Sequence, residues 1–168
     1  MIYPILYSFK RCPYAMRARM ALNLAKIKAE IREVRLNNKP KHMLKVSPKG
    51  TVPILVLDAE VIDESNDIIR WVLNRNNIFQ KDSDSITKTL TEDLITIFDD
   101  KFKYHLDRYK YSTRYENVDI EFHRLECLKI LIELEKHITL DSTDWIFNDS
   151  PSKLDICILP FVRQFKIA

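Results

Sequence analysis

Cys12-Pro13-Tyr14-Ala15 sets a thiol where thiolate chemistry is favoured. It follows a short apolar stretch, Tyr3-Pro4-Ile5-Leu6-Tyr7, and opens a helical run. A cysteine just ahead of a helix's first turn meets unpaired backbone N–H groups and the positive end of the dipole. Both stabilise the thiolate, which is the reactive form. Proline suits the first helical position because its missing N–H would go unpaired there. The spacing is that of a Cys-x-x-Cys redox site in which Ala15 replaces the second cysteine. Lys10, Arg11, Arg17 and Arg19 surround Cys12 in sequence and are candidate stabilisers of a thiolate. The bland alternative is an inert core cysteine; the neighbouring proline and the strand-to-helix junction weigh against it.

Two further segments have chemical potential. Pro48-Lys49-Gly50-Thr51-Val52-Pro53 precedes an apolar run, Ile54–Leu57. A proline there is awkward inside a sheet because it donates no hydrogen bond. Either a plain strand-entry proline or a cis Val52–Pro53 bond accounts for it, and cis bonds form only about 5–6% of X–Pro cases. Glu64-Ser65 begins a helix, where a hydroxyl and free N–H groups make either a simple cap or an anion site.

These residues need elements to position them. Tyr3–Tyr7 predicts a strand, and Tyr14–Ile27 a helix with Ala18, Ala21, Leu22 and Ala25 on one face. Glu30–Leu36 predicts a strand with Val34 and Leu36 alternating against Glu33 and Arg35. Asn37–Val46 is a polar connection with a helical turn after Pro40. Ile54–Leu57 reads as a strand buried on both faces, paired with Val61-Ile62. Ser65 then caps a helix that turns Ile68, Ile69, Val72 and Leu73 inward. Beyond a polar stretch the pattern is purely helical: Leu90, Leu94, Ile97, Phe98 and Phe102 recur at helical spacing, as do Leu125, Leu128, Leu131, Ile132 and Leu134. Ser152 and Asp155 have capping-box spacing ahead of a last helix.

Composition excludes several classes. The chain has 168 residues, enough for one large domain or two small ones, and its net charge of +3 argues against a dedicated nucleic-acid binder. Its single glycine, Gly50, rules out glycine-rich phosphate loops. No apolar run approaches the roughly 20 residues of a membrane helix. Cys12, Cys127 and Cys157 are too few and too scattered for a disulfide framework or a zinc site, so no metal is expected and a reducing, cytoplasmic setting is. Cys127 and Cys157 lie among apolar helix residues and read as core. His105, His123 and His137 sit on charged stretches and read as surface residues. Tyr104, Tyr109, Tyr111 and Tyr115 form an aromatic cluster suited to packing or to a flat substrate.

Tyr7-Ser8-Phe9-Lys10-Arg11-Cys12-Pro13-Tyr14-Ala15, Asn38-Lys39-Pro40, Gly50-Thr51-Val52-Pro53 and Asp63-Glu64-Ser65 occur in one order within residues 1–75. As a set they resemble the cytosolic glutathione transferase superfamily. The nearest likeness is to its cysteine-type members, omega-like and bacterial, and to the two-domain glutaredoxin. Ser152-Lys153-Leu154-Asp155 is similar to the family's helix-capping motif, and Ile156–Phe165 to its core helix.

The resemblance implies an α/β thioredoxin-like domain with a mixed four-stranded sheet over residues 1–75. A linker over 76–86 would follow, then an all-α domain over 87–168 that stops short of the family's further helices. It implies Cys12 as the catalytic thiol and glutathione as co-substrate. The Val52 backbone, presented by cis-Pro53, would pair with glutathione's cysteinyl unit. Glu64 would meet the γ-glutamyl ammonium, Ser65 its carboxylate, and Lys39 the glycyl carboxylate. Phe9, Tyr14 and Thr51 complete the implied glutathione contacts. The implied activity is glutathione-dependent thiol transfer or reduction, dehydroascorbate reductase-like, on a small oxidised or electrophilic partner. Two alternatives accompany it: conjugation assisted by Tyr7, Ser8 or Cys12, and a non-catalytic adaptor of the same fold. Family habit adds a homodimer, with neither nucleic acid nor membrane as a partner.

Overall fold

The computed structural model describes residues 3–76, 78–79, 85–138, 145–147 and 150–168. The chain divides into two compact units, Met1–Ile78 and Phe79–Ala168. Positions 77 and 80–84 of the predicted linker, and Asn148-Asp149 before the capping motif, lie outside the described residues.

The first unit is built on a four-stranded sheet in the order β2-β1-β3-β4. Its strands are β1 (Ile5–Ser8), β2 (Glu30–Glu33), β3 (Ile54–Val56) and β4 (Val61–Ile62). β1 runs parallel to β2, with Ile5 opposite Glu30 and Ser8 opposite Glu33. β3 is antiparallel to both β1, with Tyr7 opposite Ile54, and β4. A parallel pair needs a crossover, and α1 (Pro13–Leu24) supplies it. α2 (Lys41–Val46) and α3 (Ser65–Leu73) complete the unit. This is the expected thioredoxin-like α/β arrangement.

Burial explains the sheet's position. All four residues of β1 are buried, as are all three of β3. Ile5, Tyr7, Ile54 and Val56 share one face with Ala15, Val34, Met43 and Val52, and Phe9, Cys12 and Val46 pack against this cluster. Burying each large aliphatic side chain there contributes about 1.5–3 kcal/mol. Leu6 and Leu55 point to the other face by alternation and are fully buried. α1 packs on α3 through small residues: Ala18 and Ala21 are buried on one helix, Ile68, Ile69 and Val72 on the other.

Three local predictions need correction. β2 ends at Glu33 because its partner β1 ends at Ser8; Val34 is buried, but Leu36 is exposed. α1 stops at Leu24 rather than Ile27, where Lys26 takes a left-handed conformation with φ 56°. Glu64, not Ser65, is the N-cap of α3; Ser65 is the first helical residue.

The described elements of the second unit are helical. α4 (Ser85–Ile97) runs through a π-helical turn, Phe98–Phe102, into α5 (Lys103–Lys110), followed by α6 (Ile120–Glu135) and α7 (Lys153–Lys166). Phe98 and Phe102 stack with ring centroids 4.6 Å apart, and Phe161 and Phe165 of α7 meet them edge-on. The predicted capping box is present. Asp155 Oδ2 accepts from Ser152 N–H at 2.8 Å and from its hydroxyl at 2.6 Å, and Asp155 N–H donates to Ser152 Oγ at 3.2 Å. The buried face of α6 differs from the leucine stripe. It carries His123, Cys127 and Leu134, whereas Leu125 and Ile132 are exposed. His123 is therefore no surface residue. Its Nδ1 lies 2.8 Å from Nδ1 of half-buried His105 across the α5–α6 contact. No helix among the described residues is long and apolar enough to cross a membrane.

Candidate active site

Cys12 occupies the N-cap of α1 with extended backbone, φ −78° and ψ 120°, and Pro13 is the first helical residue. The N-cap sets Cys12 at the positive end of the α1 dipole, although its side chain makes no capping hydrogen bond to the first-turn amides. The thiol donates to the Val52 carbonyl oxygen, with Sγ 3.6 Å away. Cys12 is half-buried and packs against the apolar cluster. Ala15, standing where a second cysteine would be, is completely buried.

The segment from Ser47 to Pro53 borders Cys12, Lys39, Asp63 and Glu64. Ser47 Oγ donates to Asp63 Oδ2 at 2.7 Å. Lys49 Nζ bridges Glu64 Oε1 at 2.5 Å and Asp63 Oδ1 at 3.3 Å. Gly50 has φ +63°, and a Cβ there would sit 3.1 Å from Leu44 Cδ2 and 3.4 Å from Lys39 Nζ. The Lys39 ammonium therefore lies across a backbone site that only glycine fits without strain. Val52 receives the Cys12 thiol, and the Val52–Pro53 peptide is cis. Val52 lies beyond the last β1–β3 pair, Tyr7–Ile54. One stretch of backbone thus links Cys12, Lys39 and the start of α3.

The electrostatics follow these contacts. The Ser47 hydroxyl, then the Lys49 ammonium, hold the Asp63 carboxyl below the ordinary carboxylate range. Glu64, then Asp63, hold the Lys49 ammonium above its ordinary value. Ser65 is buried at the first turn of α3, Glu64 is exposed beside it, and Thr51 is exposed next to Val52. The sequence motifs do not single out Lys49 or Ser47 as partners of Asp63 and Glu64. The available signal was a lone lysine in a glycine-containing loop, facing two consecutive acids across fourteen residues or more.

The cations near Cys12 serve packing more than the sequence suggests. Arg17 is fully buried, with its guanidinium 5.3 Å from the Tyr14 ring centroid. Arg11 lies 5.3 Å from the Phe9 ring centroid. Arg19 donates to Ser8 Oγ, to the Phe9 carbonyl at 3.4 Å and to the Lys10 carbonyl at 3.2 Å.

Tyr7 is only 1% exposed. Its hydroxyl lies 2.6 Å from His42 Nδ1 and accepts from Arg32 Nη1 at 3.3 Å. Ser8 is completely buried and receives Arg19. Neither hydroxyl faces solvent as an activator would. Cys127 and Cys157 are completely buried, and burial pushes the Cys127 thiol up to about 12. Among the described residues no three His, Cys, Asp or Glu side chains gather as a metal site.

Comparison with known proteins adds to this geometry. Residues 6–83 match the model of the glutathione S-transferase N-terminal domain. A probable glutathione transferase of Aplysia californica is 38% identical over 56 residues, covering 33% of this chain and 61% of that relative. The chain spans less than two thirds of the length of the curated relatives it matches. Among solved structures, glutathione transferase Omega 3C from Trametes versicolor superposes with a TM-score of 0.80 at 19% identity, covering 98% of this chain and 73% of that one. A glutathione S-transferase from Methylobacillus flagellatus, determined with glutathione bound, gives a TM-score of 0.78 at 20% identity, covering 98% and 83%. At these identities the structural likeness is one of fold.

Proposed function

We propose that this chain, whose residues 6–83 match the glutathione S-transferase N-terminal domain, is a glutathione-dependent thiol transferase that works through Cys12. The observation that carries the reading is the Cys12 sulfur at the N-cap of α1, 3.6 Å from the Val52 carbonyl oxygen. A helix N-terminus stabilises the thiolate, and Val52 offers backbone to an extended peptide.

The chemistry is two thiol–disulfide exchanges. The Cys12 thiolate attacks the glutathione sulfur of a glutathionylated substrate. A Cys12–glutathione disulfide forms, the substrate S–S bond breaks, and the substrate leaves as a thiolate that takes up a proton. With Ala15 in place of a resolving cysteine, the thiolate of a second glutathione attacks the mixed disulfide. Oxidised glutathione leaves and the Cys12 thiolate is restored. Net, one mixed disulfide and one glutathione thiol become the free substrate thiol and oxidised glutathione, the incoming glutathione sulfur being oxidised as the substrate sulfur is reduced.

In this reading the Val52 backbone holds the cysteinyl unit of glutathione beside cis-Pro53. Lys39 meets the glycyl carboxylate, and Ser65, at the α3 N-terminus, meets the γ-glutamyl carboxylate. Glu64 meets the ammonium, which takes over the carboxylate that Lys49 holds in this structure. Phe9, Tyr14 and Thr51 line the same path. A reducing compartment such as the cytoplasm keeps the three free cysteines as thiols.

The buried Tyr7 hydroxyl, engaged by His42 and Arg32, supports Cys12 over Tyr7 as the reacting group. Turnover with a glutathionylated small-molecule disulfide tests the choice. Cys12→Ser is expected to abolish it, and Tyr7→Phe to keep most of it. Full activity in Cys12→Ser, lost in Tyr7→Phe, would reverse the assignment.

A further inference from the structure

The peptide group between Phe9 and Lys10 is held at both of its polar ends. Its carbonyl oxygen accepts from Cys12 N–H at 3.0 Å and from Arg19 Nη1 at 3.4 Å. Its N–H, on Lys10, donates to Glu33 Oε1 at 2.9 Å. Arg19 also reaches the next carbonyl, on Lys10, at 3.2 Å, and the buried Ser8 hydroxyl. Arg19 belongs to α1 and Glu33 to the end of β2, so opposite charges on two different elements grip one peptide plane. That plane sits two residues before Cys12 and bonds directly to its N–H.

We propose that Arg19 and Glu33 are positioning residues for Cys12, which fix the Ser8–Arg11 turn so that the sulfur stays at the α1 N-cap facing Val52. The two ends of the clamp are not equivalent. Arg19 spreads its fork over three acceptors on consecutive residues, a geometry that a lysine's single ammonium does not reproduce. Glu33 supplies only an acceptor oxygen, and a glutamine oxygen serves equally well. Rotation of the Phe9–Lys10 peptide would break the Arg19 and Glu33 bonds together and release the Cys12 N–H from its acceptor. A thiol whose N-cap geometry loosens leaves its place against Val52 at the positive end of α1, and small misplacements are costly to reactivity.

The inference deepens the thiol-transfer reading but depends on it only where turnover is the readout. Alkylation of Cys12 by iodoacetamide needs no glutathione and tests the clamp by itself. Arg19→Met and Glu33→Met are each expected to slow alkylation at neutral pH by about 5- to 10-fold and to displace its pH profile upward. In turnover the same variants lower kcat and leave the KM for glutathione within about twofold, because the clamp does not meet the γ-glutamyl or glycyl ends. Glu33→Gln retains the wild-type profile, and Arg19→Lys stays impaired. Should Arg19→Met not fold, the Glu33→Met and Glu33→Gln pair tests the clamp at an exposed side chain. Folded Arg19→Met and Glu33→Met proteins with unchanged alkylation rate and profile would overturn the proposal. Equal impairment in Glu33→Gln and Glu33→Met would also overturn it, since an acceptor oxygen would then be irrelevant. Impaired alkylation together with no glutathione adduct on wild-type protein would leave the clamp standing and remove the thiol-transfer reading.

Discussion

Thiol reactivity should separate sharply among the three cysteines. The perturbation is a chromogenic aromatic disulfide, applied at about pH 7.4 to folded wild type, to folded Cys12→Ser and to protein unfolded in guanidinium. Burial places the Cys127 thiol at about 12, against about 8.5 for a free cysteine. At pH 7.4 an ordinary thiol is about 7% thiolate, and one at 12 is roughly 3,000-fold less ionised. A more basic thiolate is a better nucleophile, with a Brønsted slope of about 0.4–0.5, which returns roughly 40-fold over this interval. The net preference for a thiol with the free value is therefore about 50- to 120-fold. Complete burial of Cys127 and Cys157 widens the gap by denying access. The released chromophore should therefore report one fast thiol per folded wild-type chain, none in folded Cys12→Ser and three in unfolded wild type. Two or three thiols reacting at comparable rates in the folded protein, or a fast thiol surviving in Cys12→Ser, would refute the reasoning.

Other residues give equally specific expectations. Gly50→Ala forces a left-handed alanine at φ +63° and sets a methyl 3.1 Å from Leu44 and 3.4 Å from Lys39 Nζ. It should cost about 1–2 kcal/mol, read as a fall of roughly 2–8 °C in thermal midpoint, and should weaken retention on immobilised glutathione; an unchanged midpoint would contradict this. Asp155→Ala removes the acceptor of Ser152 N–H, Ser152 hydroxyl and Ile146 N–H, and should cost about 2–3 kcal/mol in denaturant titration, a near-zero change being the contrary result. His105 and His123 are both held below the ordinary histidine value, first by burial, then by His123 for His105 and by Arg108 for His123, with Glu126 opposing at both and Asp119 at His123. The unfolded chain then binds more protons in acid, so their contribution is complete above about pH 6.5 and is lost as pH falls below it. Thermal midpoints of a His105→Gln/His123→Gln protein should decline less between about pH 7 and 5 than those of wild type; parallel curves would count against the pair as the cause.

What was legible in the sequence was local. Pro13 at a first helical position, the apolar Ile54–Leu57 run and the Ser152–Asp155 spacing each declare themselves within a few residues; α1 begins at Pro13, β3 takes Ile54–Val56 of its run, and the capping box forms. The illegible part consists of contacts between residues distant in the chain. Cys12 meets Val52 across forty positions, Lys10 meets Glu33 across twenty-three and Lys49 meets Glu64 across fifteen, and no periodicity encodes such pairs. Leu36 failed as a strand residue because β2 pairs only as far as β1 extends, a limit set by the turn after Ser8. His123 was misread from its charged neighbours. Its spacing of four to Cys127 and eleven to Leu134 marks one buried face of α6, and that signal was available.

Intact-mass analysis tests the central claim most directly. Wild-type protein treated with oxidised glutathione should gain one glutathione adduct, mapped to Cys12, and reduced glutathione should remove it. Cys12→Ser should gain none. A wild-type protein that takes up no adduct at Cys12, or an equal adduct on Cys12→Ser, would contradict Cys12 as the thiol that exchanges with glutathione.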